Sequence, residues 1–226
     1  MKRTAFFITG TDTGVGKTVL TALLARSLHE RGVRVVALKP ICSGGRGDAR
    51  ALYTALNGRL TLDEINPWHF RAPIAPLLAA RRERKRVKLA QVLAHIRTMQ
   101  KRFDVVLIEG AGGLLSPLGE KFDSRDLIAV LCATPIIVCP NRLGAVNRVL
   151  LTIEALPRSA VAEARVVLMS PQEPDVSTKT NAGLLGEFFD KERIFSLPWL
   201  GERFNLARGL NNLCAQEMLR KLTSVF

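Results

Sequence analysis

A glycine-rich segment near the N-terminus carries the residues with the most specific chemistry. It runs from Gly10 to Thr18, between an apolar strand-like run over residues 5–9 and a helical pattern. In that order, glycines let backbone N–H groups converge on phosphate oxygens at the positive end of the helix dipole. Lys17 can bridge the β- and γ-phosphates, and the Thr18 hydroxyl can bind Mg²⁺. The segment therefore predicts binding of a nucleoside triphosphate with magnesium.

The spacing within this loop narrows the class of nucleotide-binding protein. From Gly10 the loop is one residue longer than the common G-x-x-x-x-G-K-[ST] form. ATPases of the partitioning and nitrogenase-reductase type have a similar loop, but they carry a lysine where this chain has Asp12. The absence of that lysine counts against those ATPases.

Charged side chains also follow two further apolar runs. Lys39 follows residues 33–38, and Glu109 follows residues 104–108. Ligands of parallel sheets bind beyond the carboxyl ends of the strands, so both positions are candidates for a site. A lysine there can stabilise a transferring phosphoryl group, and a carboxylate can hold Mg²⁺ directly or through water. Taken alone, Lys39 is better interpreted as a surface lysine, and Glu109 has the alternative of an exposed strand end.

Two other positions allow two interpretations each. Asp48, after a glycine-rich stretch, is either a second acidic magnesium ligand or a helix N-cap. The turn over Leu143–Asn147 begins a helical pattern just after Gly144. Its free backbone N–H groups can receive a carboxylate, but taken alone the residues are better interpreted as a plain strand-to-helix connection.

Short β-branched runs alternate with longer helical patterns along the chain. This alternation predicts one α/β domain over residues 1–226, with a doubly wound, mostly parallel sheet, helices on both faces, and the phosphate-loop NTPase type of fold. The predicted strands cover residues 5–9, 33–38, 104–108, 135–139, 165–169 and 193–197, and the predicted helices cover residues 17–31, 88–102, 124–132, 145–156 and 211–222.

The composition excludes several classes of protein. No apolar run approaches the roughly 20 residues that cross a bilayer, so we expect no membrane segment and a cytoplasmic location. The four cysteines lack CxxC spacing, which favours reduced thiols. The net charge of +13 allows an anionic partner, but the dense basic run over residues 81–88 has no interleaved aromatic residues. We interpret that run as a solvated face, and a nucleic-acid partner is not expected.

Taken together, five segments resemble the dethiobiotin synthetase family. They occur in the family order over most of the chain: Thr9–Thr13 with Val15–Thr18, Lys39-Pro40 with Ser43-Gly44, Glu109–Gly113, Arg142–Asn147, and Leu197–Leu200. The resemblance implies a reaction in which 7,8-diaminopelargonate takes up CO2 as a carbamate, ATP phosphorylates the carbamate, and the neighbouring amine closes a cyclic urea. The products would be dethiobiotin, ADP and phosphate.

The same resemblance implies roles for individual residues, with ATP and Mg²⁺ as cofactors. Lys17 and Lys39 would be catalytic, and Thr18, Asp48 and Glu109 would hold the metal. Nucleotide contacts would come from Thr13, Gly14, Val15, Gly16, Lys17, Thr18, Asp48, Glu109, Gly110, Ala111, Gly112, Pro198, Trp199 and Leu200. The diamine or its carbamate would contact Thr13 and Ser43, and its carboxylate would be received by Leu143, Gly144 and Asn147 across a homodimer interface.

Three positions depart from the family pattern. Gly14 replaces an acidic residue, Arg148 stands where a histidine commonly follows the asparagine, and the segment over residues 168–172 lacks an asparagine for the nucleotide base. These departures predict relaxed base recognition. The alternative function is that of a partitioning-type phosphate-loop ATPase, which would act as a nucleotide switch for a polar or nucleic-acid partner.

Overall fold

The computed structural model describes residues 4–202 and 205–223 and contains one large parallel sheet. The strands are β1 (Thr4–Gly10), β2 (Val35–Leu38), β3 (Ile41–Ser43), β4 (Trp68–Phe70), β5 (Val105–Glu109), β6 (Thr134–Pro140), β7 (Arg165–Met169) and β8 (Ile194–Leu197). Six of them form the sheet in the order β2-β5-β1-β6-β7-β8, and all neighbours are parallel. The pair β3 and β4 forms a separate small parallel sheet. The predicted α/β fold class is therefore confirmed.

Helices connect the strands and cover both faces of the sheet. They are α1 (Lys17–Glu30), α2 (Gly47–Ala55), α3 (Leu62–Ile65), α4 (Pro76–Arg82), α5 (Leu89–Arg102), α6 (Ser124–Leu131), α7 (Ala145–Glu154), α8 (Arg158–Val161), α9 (Val176–Leu185), α10 (Leu206–Asn211) and α11 (Leu213–Leu222). From β1 the chain crosses to β2 at one edge of the sheet, and from β5 it then crosses through β6 and β7 to β8 at the opposite edge. Because such crossovers are right-handed, α1 lies on one face and α5 to α9 lie on the opposite face.

The central strands are apolar because both of their faces are covered. All residues of β2 and β5 are buried, as are six of the seven residues of β1. Strands buried on both sides read as continuous apolar runs, which is why the sequence shows them clearly. Among the described residues, no helix is long and apolar enough to cross a bilayer. All four cysteines are free thiols.

The strand register brings the ends of β1, β2 and β5 to one edge of the sheet. Leu38 of β2 pairs with Ile108 of β5, and Ile8 of β1 pairs with Glu109. The residues that follow β1 and β2 therefore meet the end of β5, although about 70 residues separate Lys39 from Glu109. Glu109 itself is the last residue of β5, at the strand end where the sequence predicted it.

Some predicted boundaries differ from the structure. β2 begins at Val35, because Val33 still belongs to the turn after α1, where its N–H donates to the Leu28 carbonyl. The helix predicted over residues 211–222 begins two residues later, as α11, because Asn211 is the last residue of α10 and Asn212 caps α11 with its own side chain. That side chain accepts a hydrogen bond from the Ala215 N–H at 3.0 Å, which starts a new helix.

Candidate active site

The phosphate loop connects β1 to α1 and leaves the N-terminus of this helix open. Gly16 is the N-cap of α1, has φ 98°, and provides no side-chain cap. A Cβ at Gly16 would approach the terminal Met169 Cε atom to 2.7 Å, a contact that the flexible side chain can relieve, so it is the positive φ that favours glycine here. The first N–H groups of α1 are consequently available to a phosphate. Gly14 also has a positive φ, of 73°, in the exposed part of the loop.

Lys17 folds back over this loop instead of extending into solvent. Its Nζ atom donates to the Asp12 carbonyl oxygen at 2.8 Å, and the side chain is buried. Burial, together with the nearby charge of Lys39, lowers the pKa of Lys17 to about 8, although Glu109 and Asp48 act in the opposite direction. A phosphate group would reverse this shift, because an adjacent negative charge favours the ammonium form.

A cluster of charged groups, with Lys39 and Glu109 buried and Asp48 partly exposed, forms where the ends of β2 and β5 meet the starts of α1 and α2. The Lys39 Nζ atom donates to Glu109 Oε1 at 2.7 Å and to the Gly110 carbonyl oxygen at 2.9 Å, and lies 2.8 Å from Asp48 Oδ2. The Thr18 hydroxyl donates to the same Glu109 oxygen at 2.7 Å. The structure thus brings together Lys39, Glu109, Asp48 and Thr18, which the sequence presents as four separate signals.

The environment of each group resolves the interpretations left open by the sequence. Lys39 is 3% exposed and Glu109 is 1% exposed, so neither is a surface residue or an exposed strand end. Arg46 occupies the N-cap of α2, and Asp48 lies inside the helix with its carboxylate on Lys39. Burial lowers the pKa of Lys39, but the carboxylates of Glu109 and Asp48 outweigh it, so the pKa is raised overall. Lys39 therefore remains a cation.

The argument that this cluster can bind a metal ion depends on one carboxylate oxygen that has no hydrogen-bond partner. Glu109 Oε2 is buried without a hydrogen-bond partner among the described residues. An orphaned carboxylate oxygen in a buried site is costly and is commonly explained by an ion or water. No cluster of three or more His, Cys, Asp or Glu residues suited to a metal occurs in the described part of the chain. Magnesium needs few protein ligands, since phosphates and water complete its shell, so Glu109, Asp48 and Thr18 fit it.

The loop after β5 faces the phosphate loop. A Cβ at Gly112 would lie 3.8 Å from the Thr13 hydroxyl, and a Cβ at Gly113 would lie 3.5 Å from the Gly10 carbonyl oxygen. Of the small residues predicted for nucleotide contact, Gly112 therefore lies near the phosphate loop, whereas a Cβ at Gly110 would meet Phe7 and Ser124. Ser43 ends β3 and is half-buried.

A cavity of 390 Å³ adjoins the phosphate loop on one side. Its walls are formed by residues 14–16 of the loop and by the segments after β6, β7 and β8, including Pro198, Trp199 and Leu200. Among the described residues that line it, the one side-chain amide belongs to Asn141, and that amide is already used. It donates to the Thr178 carbonyl at 3.0 Å and accepts from the Asn181 amide at 2.8 Å.

The turn before α7 lies apart from both cavities beside the phosphate loop. Gly144 has φ 86° and caps α7 without a side chain, while Leu143 is 82% exposed and Asn147 is exposed. Neither cavity is lined by these three residues. Within one chain, these three residues therefore form no part of the cavity walls beside the phosphate loop.

Several residues around the loop received no contact role in the predictions from the sequence. Arg142 and Met169 line the 390 Å³ cavity, and a second cavity of 540 Å³ on the other side includes Ser116 and Arg148. Arg142 and Met169 lie at the carboxyl ends of β6 and β7, so the rule that identified Lys39 and Glu109 also points to them.

The fold and this site together define a phosphate-loop NTPase. The family model described as an AAA domain matches residues 4–203. The ATP-dependent dethiobiotin synthetase BioD of Anaeromyxobacter dehalogenans strain 2CP-C is 38% identical over 217 residues, covering 94% of this chain and 97% of the relative. The protein of the same name from Thermodesulfovibrio yellowstonii is 34% identical over 217 residues, covering 88% and 90%. The chain belongs to the dethiobiotin synthetase family, as its motifs predicted.

Solved structures with a similar fold include partition proteins. The pNOB8 ParA bound to nonspecific DNA has a TM-score of 0.60 and 13% identity, covering 98% of both chains. A plasmid partition protein from Borrelia burgdorferi bound to AMPPNP has a TM-score of 0.61 and 15% identity, covering 100% of this chain and 98% of that one. At such identities the similarity concerns the fold alone, so it adds no support to the nucleotide-switch alternative.

Proposed function

We propose that this chain catalyses the ATP-dependent closure of 7,8-diaminopelargonate and CO2 to dethiobiotin, releasing ADP and phosphate. The observation that carries the proposal is the buried Lys39 ammonium, held by Glu109 and Asp48 beside the start of the phosphate-loop helix. Phosphoryl transfer requires positioning and positive charge instead of a protein nucleophile. A permanently charged, immobile lysine next to the phosphate loop meets that requirement.

The reaction divides into three steps that make different demands on the site. One amine of the substrate adds to CO2 and loses a proton, which gives a carbamate. A carbamate oxygen then takes the γ-phosphoryl group, with ADP as the leaving group. Finally the neighbouring amine attacks the carbamate carbon, phosphate leaves, and a second proton is lost as the ring closes. Lys17 and Lys39 would offset the negative charge that develops during phosphoryl transfer.

Magnesium would be held by the Thr18 hydroxyl, Asp48 and Glu109. Support comes from the convergence of these groups and from the unpartnered Oε2 atom of Glu109. When bound, the ion would neutralise charge on the phosphate oxygens. Residues 13–18, the loop over residues 110–112, and the segment over residues 198–200 would hold the nucleotide, with Thr13 and Ser43 near the diamine.

The functional unit would be a homodimer in which one protomer completes the site of the other. Leu143, Gly144 and Asn147 would offer the start of α7 to the substrate carboxylate of the neighbouring protomer. Two observations support this: Leu143 is 82% exposed, and the three residues line neither cavity beside the phosphate loop of their own chain. Exposed apolar side chains of this kind suit a covered surface.

Purified protein tests the proposed reaction directly. We expect phosphate release and dethiobiotin formation with ATP, Mg²⁺, bicarbonate and the diamine, and no dethiobiotin when the diamine is omitted. The Lys17→Ala variant gives the background level of both products, because it lacks the contacts that Lys17 would make with the phosphates. Both products would be quantified, phosphate by colorimetry and dethiobiotin by mass spectrometry. Dethiobiotin formation at the Lys17→Ala level would refute the proposal.

The lowered pKa of Lys17 predicts proton uptake on nucleotide binding. With a pKa of about 8, Lys17 is partly neutral in the free protein above pH 8. Since the triphosphate favours the ammonium, binding at about pH 8.5 should take up a fraction of a proton, and affinity should fall as pH rises through this range. Calorimetry in buffers of different ionisation enthalpy measures this uptake. Lys17→Ala should abolish it and the exposed Lys101→Ala should not; equal uptake in all three proteins would contradict the assignment.

A further inference from the structure

Asn66 is a fully buried polar residue at the end of α3, and the proposed catalytic and binding roles do not involve it. A buried amide is costly unless its donors and its acceptor are paired, so its partners indicate what it does. The Nδ2 atom donates to the Lys39 carbonyl oxygen at 2.7 Å, and the Oδ1 atom accepts a hydrogen bond from the Cys42 thiol at 3.1 Å. The side chain therefore holds both ends of the stretch over residues 39–42.

The main chain around Asn66 adds two further contacts to the same part of the protein. The Asn66 carbonyl oxygen accepts a hydrogen bond from the Arg46 guanidinium at 3.1 Å, and Arg46 is the N-cap residue of α2, the helix that carries Asp48. The Ile65 carbonyl oxygen accepts from the Lys39 N–H at 3.0 Å. Residues 65–66 therefore hold the N–H and the carbonyl of Lys39 as well as the start of α2.

These contacts converge on a stretch that supplies three of the predicted site residues. Residues 39–48 contain Lys39, Ser43 and Asp48, and between them Gly44 and Gly45 have φ values of 79° and 113°. Glycine restricts the backbone less than any other residue, so this stretch has little stiffness of its own. Contacts from outside the stretch must therefore fix the backbone from which the Lys39 side chain extends.

We infer that Asn66 is a positioning residue for the proposed phosphoryl transfer, in which it acts through Lys39. The inference rests on the proposed function, because Lys39 there offsets charge in the transition state. The Lys39 ammonium is held by Glu109 and Asp48, and its backbone is held by Asn66. A charge that is fixed at both ends needs no reorganisation during the reaction, which is the condition under which it stabilises a transition state best.

A double-mutant cycle separates this positioning role from general support of the fold. Asn66→Ala should lower kcat roughly 10- to 100-fold, as a small misplacement of a catalytic group does, with ATP affinity changed only a few-fold. Because Asn66 acts through Lys39, the same substitution should lower kcat by less than about 2-fold in the Lys39→Ala background. Steady-state kinetics and nucleotide-binding calorimetry measure both quantities. Asn66→Ser is the milder variant if Asn66→Ala does not fold, and the same cycle applies to it.

Hydrogen exchange tests the anchoring without the reaction. In Asn66→Ala the amides of residues 39–45 should exchange faster, because their stretch has lost its contact, while those of β1 should be unchanged. Leu185→Ala is the control for a general loss of stability, since Leu185 is fully buried in α9 and lines neither cavity. It should lower the unfolding temperature and leave kcat at the wild-type value.

Three results would overturn the inference and leave the proposed function standing. They are an unchanged kcat in Asn66→Ala, a loss of the same size in the Lys39→Ala background, and unchanged exchange over residues 39–45. A wild-type protein that forms no dethiobiotin would overturn both the proposed function and the positioning role.

Discussion

Lys39→Ala should lower kcat by about 10²- to 10³-fold while ATP affinity changes only a few-fold, the effect of removing one positioned charge from a transition state. Lys39 already contacts Glu109, Asp48 and the Gly110 carbonyl, so it is fixed before any substrate arrives. Lys17 and the open N-terminus of α1 would still bind the phosphates. Steady-state kinetics and nucleotide-binding calorimetry separate the two quantities.

The same substitution leaves the buried Glu109 carboxylate without its cation, and removal of one partner of a buried pair is commonly destabilising. Thermal unfolding therefore accompanies the kinetics, and Lys39→Arg, which keeps the charge, is measured in parallel. Lys101→Ala is the matched control on an exposed position of α5. Equal losses of kcat and ATP affinity in Lys39→Ala would show that Lys39 only positions the ground-state nucleotide.

Glu109→Gln should reduce activity and the apparent affinity for Mg²⁺, each by about 10- to 100-fold, as expected when a group that orients metal ligands is lost. One Glu109 oxygen accepts hydrogen bonds from both Thr18 and Lys39, and the other has no described partner. An amide offers one oxygen and places an NH2 group against either a cation or the metal position. Titration of activity with Mg²⁺ at saturating ATP measures the shift.

Glu120→Gln supplies the comparison for this titration, because Glu120 lies outside the site and pairs with Arg81. Its Mg²⁺ dependence should match that of the wild-type protein. If Glu109→Gln also shows an unchanged Mg²⁺ midpoint, the metal would have to be held without Glu109. The contacts that Asp48 and Thr18 make in the structure would then not explain how the metal is bound.

The elements visible in the sequence were those with strong local signals. β1, β5 and β6 are long apolar runs because both sides of the sheet are covered, and α1, α5 and α7 have a clear helical period. The three-residue strands β3 and β4 and the four-residue helices α3 and α8 gave no usable pattern. Elements of that length depend on tertiary contacts, which local propensity does not contain.

The candidate site likewise has one part that local sequence predicts and another part that depends on tertiary contacts. The sequence of residues 10–18 predicted a phosphate loop, because the function of such a loop depends on local backbone geometry and on adjacent side chains. The resemblance to dethiobiotin synthetases, carried by five separated segments, is confirmed by relatives that cover most of the chain. The role of each residue, the magnesium ligands and the homodimer remain predictions to be tested by experiment.

The sequence by itself determined the phosphate loop, the six strands of the large sheet, and the family. Only the tertiary structure decided that Lys39 is a buried cation and that Glu109 and Asp48 share it, because the parallel register of β2 and β5 brings residues 70 positions apart into contact. It likewise placed Arg148 in a cavity with Asp12. Burial and charge pairing are properties of neighbours in space, so residue types and spacing alone do not specify them.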